Sequence, residues 1–125
     1  CVEFFLSKSK NILVNEIAPR THNSGHYSIE GCQESQFDHQ VRILKNMEPV
    51  KSSLEHSSVM INLLGDLWKN GNINFDNMKK SEVFLHLYNK KIPKNGRKMG
   101  HFTVINDSVE IANKIADEVY AKLKK

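Results

Sequence analysis

Residues 2–16 read Val2-Glu3-Phe4-Phe5-Leu6-Ser7-Lys8-Ser9-Lys10-Asn11-Ile12-Leu13-Val14-Asn15-Glu16. Two β-rich runs, 2–6 and 12–16, flank the polar stretch Ser7 to Asn11, the pattern of a β-hairpin, although no Gly favours a tight primed turn. Pairing residues whose numbers sum to 19 sets Leu6 opposite Leu13, Phe5 opposite Val14 and Glu3 opposite Glu16. Directly opposed side chains lie about 4.5–5.5 Å apart at Cβ, so two carboxylates there repel, by about 1 kcal/mol in water and more at a lower dielectric. Either both glutamates face water, the usual habit of Glu, or a divalent cation sits between them. Mg²⁺ is often held by one or two carboxylates together with substrate phosphates.

Outward from the hairpin, residues 17–28 show no period and are dense in polar side chains, which marks an ordered loop. Ser35 and Asp38 resemble a capping box, and Phe37, Val41 and Leu44 recur at helical spacing, predicting a helix over 36–46. Residues 48–58 read as a linker. Val59 to Leu64, apolar and ended by Gly65, reads as a buried strand, and 83–88 and 99–105 read as two more. Between the last two lies Lys90-Lys91-Ile92-Pro93-Lys94-Asn95-Gly96-Arg97-Lys98, with five bases and no acid, a turn or loop. Ser108 caps a terminal helix whose apolar stripe is Ile111/Ala112, Ile115/Ala116, Val119 and Leu123.

The chain has 125 residues, 39% of them hydrophobic and 26% charged. That suits one compact soluble unit and excludes a disordered tail. No apolar run approaches the roughly 20 residues that span a bilayer, so no membrane role is expected. Cys1 and Cys32 match no metal-ligand spacing, and with no signal-peptide pattern a reduced, cytoplasmic setting is expected. The net charge of +4 is uneven: residues 1–78 carry 7 bases against 9 acids, residues 79–125 carry 11 against 5. Without the aromatic interleaving of a single-strand binder or the helix pattern of a groove reader, a small anionic ligand explains the tilt and no nucleic-acid partner is expected. The opening inside a strand-like run, without an initiator Met, suggests the tail of something longer.

Five further blocks occur in order: Asn15-Glu16-Ile17-Ala18-Pro19-Arg20-Thr21-His22-Asn23-Ser24-Gly25-His26; Ser35-Gln36-Phe37 with Arg42; Ser58-Val59-Met60-Ile61-Asn62-Leu63-Leu64-Gly65; His86-Leu87-Tyr88-Asn89-Lys90; and Gly96-Arg97-Lys98-Met99-Gly100-His101. Together they resemble the ATP-grasp ligases of purine biosynthesis, specifically the 5-(carboxyamino)imidazole ribonucleotide synthase family, over its carboxyl-terminal third. The expected fold is α+β. Residues 1–47 form the carboxyl-terminal end of an ATP-grasp domain, hairpin and loop, and residues 48–125 a small antiparallel β-sheet domain packed by the terminal helix.

The resemblance implies a reaction in which ATP and bicarbonate give carboxyphosphate, whose carboxyl group passes to the amine of 5-aminoimidazole ribonucleotide. The complete enzyme is implied to be a homodimer, and this segment alone is expected to be inactive. By resemblance Glu3 and Glu16 are metal ligands bridging Mg²⁺ and ATP phosphates. Arg20 takes the catalytic role, a planar guanidinium suiting the planar oxyanion of bicarbonate. His22, Asn23 and Ser24 line the aminoimidazole ribonucleotide site, and Lys90, Arg97 and Lys98 hold its 5-phosphate. From the residues alone, 22–25 is a hydrogen-bonded loop and the basic run a solvated one. His86 and His101, alternating with apolar neighbours, read as packed structural histidines. The rival class is a stand-alone anion-binding or assembly module without catalysis.

Overall fold

The computed structural model describes residues 1–68 and 73–124. The element order is β1 (Val2–Leu6), β2 (Ile12–Ile17), α1 (Ser28–Gly31), α2 (Gln36–Leu44), β3 (Ser57–Leu64), β4 (Val83–Leu87), β5 (Lys98–Asn106) and α3 (Val109–Leu123), with short 3-10 turns at Asn23–Gly25, Gly65–Trp68 and Asp76–Met78. The strands form two antiparallel sheets, β1-β2 and β3-β5-β4. The helix ends follow their sequence signals. Ser35 and Asp38 close a complete capping box on α2, and the Ser108 side chain accepts from the Ile111 N–H at the start of α3.

The hairpin forms with Glu3 opposite Glu16, but its outer half corrects the expected register. Phe5 faces Leu13, not Val14, and Leu6 faces Ile12, not Leu13, because the register shifts between Glu3 and Phe4. Asn15 is the extra residue of this bulge, and its side-chain amide donates to Glu3 Oε2 at 3.1 Å. The apolar side chains of both strands are exposed, from Phe4 and Phe5 to Leu13 and Val14. Two strands of this kind are marginal by themselves and call for further sheet.

In the second sheet β5 is central and buried along most of its length. Alternation sends Val59, Ile61 and Leu63 of β3, Val83 and Leu85 of β4, and Phe102 and Val104 of β5 to one face. There they pack with Ala112, Ala116, Val119 and Leu123 of α3. The two alanines let the helix backbone approach closely, and burying Val119 and Leu123 contributes about 1.5–3 kcal/mol each. The expected stripe is therefore one row narrower, since Ile111 is half exposed. The opposite face presents Asn62, His101 and His86 in one row across β3, β5 and β4. Loop 22–26 and α1 cover this face, so the sheet is buried on both sides.

Candidate functional site

Gln36, the first residue of α2, fixes the loop that carries the site. Its Oε1 accepts from the His22 N–H at 2.8 Å, its Nε2 donates to His22 O at 2.8 Å, and Nε2 also lies 2.7 Å from His26 Nδ1. A Cβ on Gly25 would sit 2.7 Å from Gln36 Oε1, so this packing needs a glycine there. The loop's own bonds lock His22: the Ser24 N–H donates to Nδ1, and Ser24 Oγ is 2.8 Å from it. Nδ1 thus acts as acceptor, and the matching neutral tautomer carries its proton on Nε2, 3.6 Å from Glu16 Oε2. Nδ1 lies 3.6 Å from Glu3 Oε1. The ring that the sequence assigned to the substrate pocket stands between the two glutamates.

One ligand atom from each of Glu3, Glu16 and His22 lies within 4.8 Å of the others. The set suits a hard divalent cation. Two half-open carboxylates supply oxygen donors, and the open side leaves room for water and phosphate oxygens. His22 lies beside the carboxylates, its Nε2 3.6 Å from Glu16, and nitrogen is a poor ligand for Mg²⁺.

Glu16 also belongs to a cleft of about 450 Å³ lined by Arg20, Thr21, His22, Asn23, His26, Tyr88, Lys90 and Lys98. Lys98 Nζ donates to Asn23 Oδ1 at 2.7 Å, Asn23 Nδ2 donates to Asn62 Oδ1 at 2.8 Å, and Lys90 Nζ donates to Lys98 O at 2.7 Å. Ser24 stays out of the lining, bonded to His22. The expected convergence of Arg97 on the 22–24 loop is absent: its Nη1 donates to Ile92 O at 3.1 Å, inside its own turn. Adjacent residues entering a strand project to opposite sides, so Lys98 faces the loop and Arg97 does not. The turn is clasped by Gly65 and Asp66, through Gly65 N–H to Arg97 O and Gly96 N–H to Asp66 Oδ2, both 2.8 Å. Gly96 takes φ +70°, a conformation that suits glycine. Arg20 also lines a second cleft of about 590 Å³ with Pro19, Gln36, His39 and Ile43, its Nη1 donating to Thr21 O at 2.8 Å.

Behind the cleft lies a group the sequence reading left as simple packing. His101, 2% exposed, stacks on His86 with centroids 4.6 Å apart and lies 5.1 Å from His26. His86 Nε2 meets Glu30 Oε1 at 2.6 Å, and His101 Nδ1 meets the Tyr88 hydroxyl at 2.8 Å. Tyr88 was missed because nothing local in the sequence brings it to the 22–26 loop. Burial first, and then the neighbouring His86 and His26, lower the His101 pKa to about 4.

Between that value and the ordinary 6.5 the unfolded chain binds the proton and the folded one does not, so stability is full above pH 6.5 and declines as pH falls toward 4. At 1.36 kcal/mol per pH unit the loss at pH 4 is on the order of 3 kcal/mol. Ring NMR of histidine-labelled protein should find His101 neutral down to pH 5, and thermal unfolding should show a shallower acid decline in His101→Gln. A His101 titration step near 6.5 would contradict this.

Two family models match the chain: the ATP-grasp domain over residues 1–37 and the phosphoribosylaminoimidazole carboxylase C-terminal domain over residues 58–115. The chain is 47% identical over 112 residues to N5-carboxyaminoimidazole ribonucleotide synthase of Staphylococcus epidermidis, a match covering 86% of the chain and 28% of the relative. The chain belongs to the N5-carboxyaminoimidazole ribonucleotide synthase family. The crystal structure of the synthetase from Thermotoga maritima superposes with a TM-score of 0.80 at 41% identity, covering 96% of the chain and 34% of that protein. The Aspergillus clavatus synthase, solved in complex with ADP and 5-aminoimidazole ribonucleotide, gives 0.79 at 34% identity, covering 98% and 34%. The chain spans about a third of the length of these synthases and matches their α+β fold. Among the described residues no helix is long and apolar enough to cross a membrane.

Proposed function

We propose that this chain is the carboxyl-terminal part of an ATP-dependent carbon-nitrogen ligase that carboxylates 5-aminoimidazole ribonucleotide with bicarbonate, through carboxyphosphate. The observation that carries the reading is one cleft with the Glu16–His22 end on one side and the Lys90 and Lys98 cations on the other. Such a cleft can hold an anionic substrate next to a cation-dependent phosphate site. In this reading residues 1–47 close an ATP-grasp domain and 48–125 form the small domain behind it, and the complete enzyme is a cytoplasmic homodimer.

Glu3 and Glu16 would hold Mg²⁺, whose chemistry is neutralisation of charge on the ATP phosphate oxygens. The chain's own groups divide the remaining work. His22 stands beside the two carboxylates and places its Nε2 proton next to Glu16. Arg20, beside Pro19 at the mouth of both clefts, presents a planar cation to bicarbonate and to charge building on its oxygens. Asn23, held between Asn62 and Lys98, offers an amide to the ribonucleotide, with His22 and Ser24 shaping the loop around it. Lys90 and Lys98 take the 5-phosphate through charge-assisted bonds, about twice as strong as neutral ones. Arg97, turned to the Ile92 carbonyl, stands outside this pair.

In the complete enzyme, Lys98→Ala should raise KM for the ribonucleotide about tenfold or more, leaving KM for ATP within about twofold and kcat less affected. Lys94→Ala, a base of the same run outside the cleft lining, should be nearly silent. Steady-state kinetics with each substrate varied in turn decides it. Equal effects from the two substitutions would place the phosphate elsewhere.

A further inference from the structure

We infer that Tyr88 is a positioning residue for the anion-binding end of the cleft, holding Lys90 in the arrangement that receives the substrate. The inference rests on the proposed ribonucleotide site and adds a role for a residue that need not bond to the substrate itself.

The backbone of Tyr88 extends the sheet, its N–H donating to Met99 O at 2.9 Å just beyond the end of β4. Its half-buried phenol is tied inward to His101 Nδ1. His101 cannot yield, being pinned between the His86 ring and His26, with His86 fastened to Glu30 in turn. The phenol is therefore the outer end of a rigid stack.

On its outward side the ring meets a cleft cation. Lys90 Nζ lies 5.3 Å from the ring centroid, within the range of a cation–π contact. The chain doubles back to make that contact through Asn89, whose φ of 53° is a left-handed conformation that Asn tolerates better than most residues. Asn23 lines the same cleft as the ring, its own side chain held by Asn62 and Lys98. A lysine has four side-chain torsions to restrict when it grips an anion. A seat that restricts them beforehand leaves more of the interaction as affinity.

The test is a kinetic cycle in the complete enzyme. Tyr88→Phe keeps the ring under Lys90 and removes the tie to His101; Tyr88→Leu removes both. KM for 5-aminoimidazole ribonucleotide should rise about three- to tenfold in Tyr88→Phe and further in Tyr88→Leu, with KM for ATP within about twofold. Lys90→Ala should cost about tenfold alone but no more than about twofold when added to Tyr88→Leu, since the seat is already gone. Should Tyr88→Leu not fold, Tyr88→Met fills similar space and takes its place in the cycle.

If Lys90→Ala raises KM but combines additively with the Tyr88 change, or if the Tyr88 variants shift both substrates' KM alike, the positioning role is overturned and the site stands. If Lys90→Ala itself is silent, the site and this inference fall together.

Discussion

Glu16→Gln in the complete enzyme is expected to lower kcat by about 10²- to 10³-fold while leaving the protein folded, the scale seen when one preorganised electrostatic group is removed from a reacting centre. Glu16 faces Glu3 across the hairpin just where the register shifts, and His22 lies beside them, at 3.6 Å from each. Gln keeps the shape and the carbonyl oxygen but removes one of the two charges proposed to hold a hard cation. The same change removes repulsion between like charges, so the metal-free variant should unfold at a temperature equal to or above that of the parent. Calorimetry in chelator and turnover against Mg²⁺ concentration measure the two sides separately. Near-normal turnover at ordinary Mg²⁺, or clear destabilisation of the metal-free protein, would remove Glu16 from the cation site.

How far the sequence carries toward this picture depends on the range of the signal. Caps and stripes are local, and Ser35, Asp38 and Ser108 start helices where their side chains say they should. The three strands of the second sheet are legible because continuous apolar runs ended by Gly or polar turns need burial on both faces. The hairpin register is half legible. The apolar alternation cannot show that Asn15 drops out of the ladder, a choice stabilised by its bond to Glu3. The glutamate pair survives because it lies on the inner side of that bulge.

The site divides in the same way. The motif names residues 15–26 and 86–101 as its two parts, but which base enters the cleft is set by strand alternation at residue 98, so Lys98 reaches Asn23 and Arg97 turns to Ile92. The His26, His86, His101 and Tyr88 group could not be foreseen. Its members lie up to 75 residues apart and meet only because loop 22–26 covers the face of the sheet that α3 leaves open.

Arg20→Ala should be the second severe variant, with kcat reduced about 10²- to 10³-fold and KM for the ribonucleotide changed far less. Arg20 follows Pro19, whose fixed φ limits where the guanidinium can go, and it lines both the cleft shared with Glu16 and the one bounded by Gln36 and His39. It is exposed, and its one described hydrogen bond is to the adjacent Thr21 carbonyl, so most of its donors remain available to an incoming oxyanion. A carboxylate-like substrate accepts two parallel N–H bonds from a guanidinium, and an ammonium cannot supply that geometry. Arg20→Lys should therefore keep the charge and recover only a small part of the rate, and added guanidine should restore activity to Arg20→Ala more effectively than an alkylamine of similar size. Full recovery in Arg20→Lys would show that charge alone is needed. A loss confined to KM for ATP would move Arg20 from bicarbonate to the nucleotide.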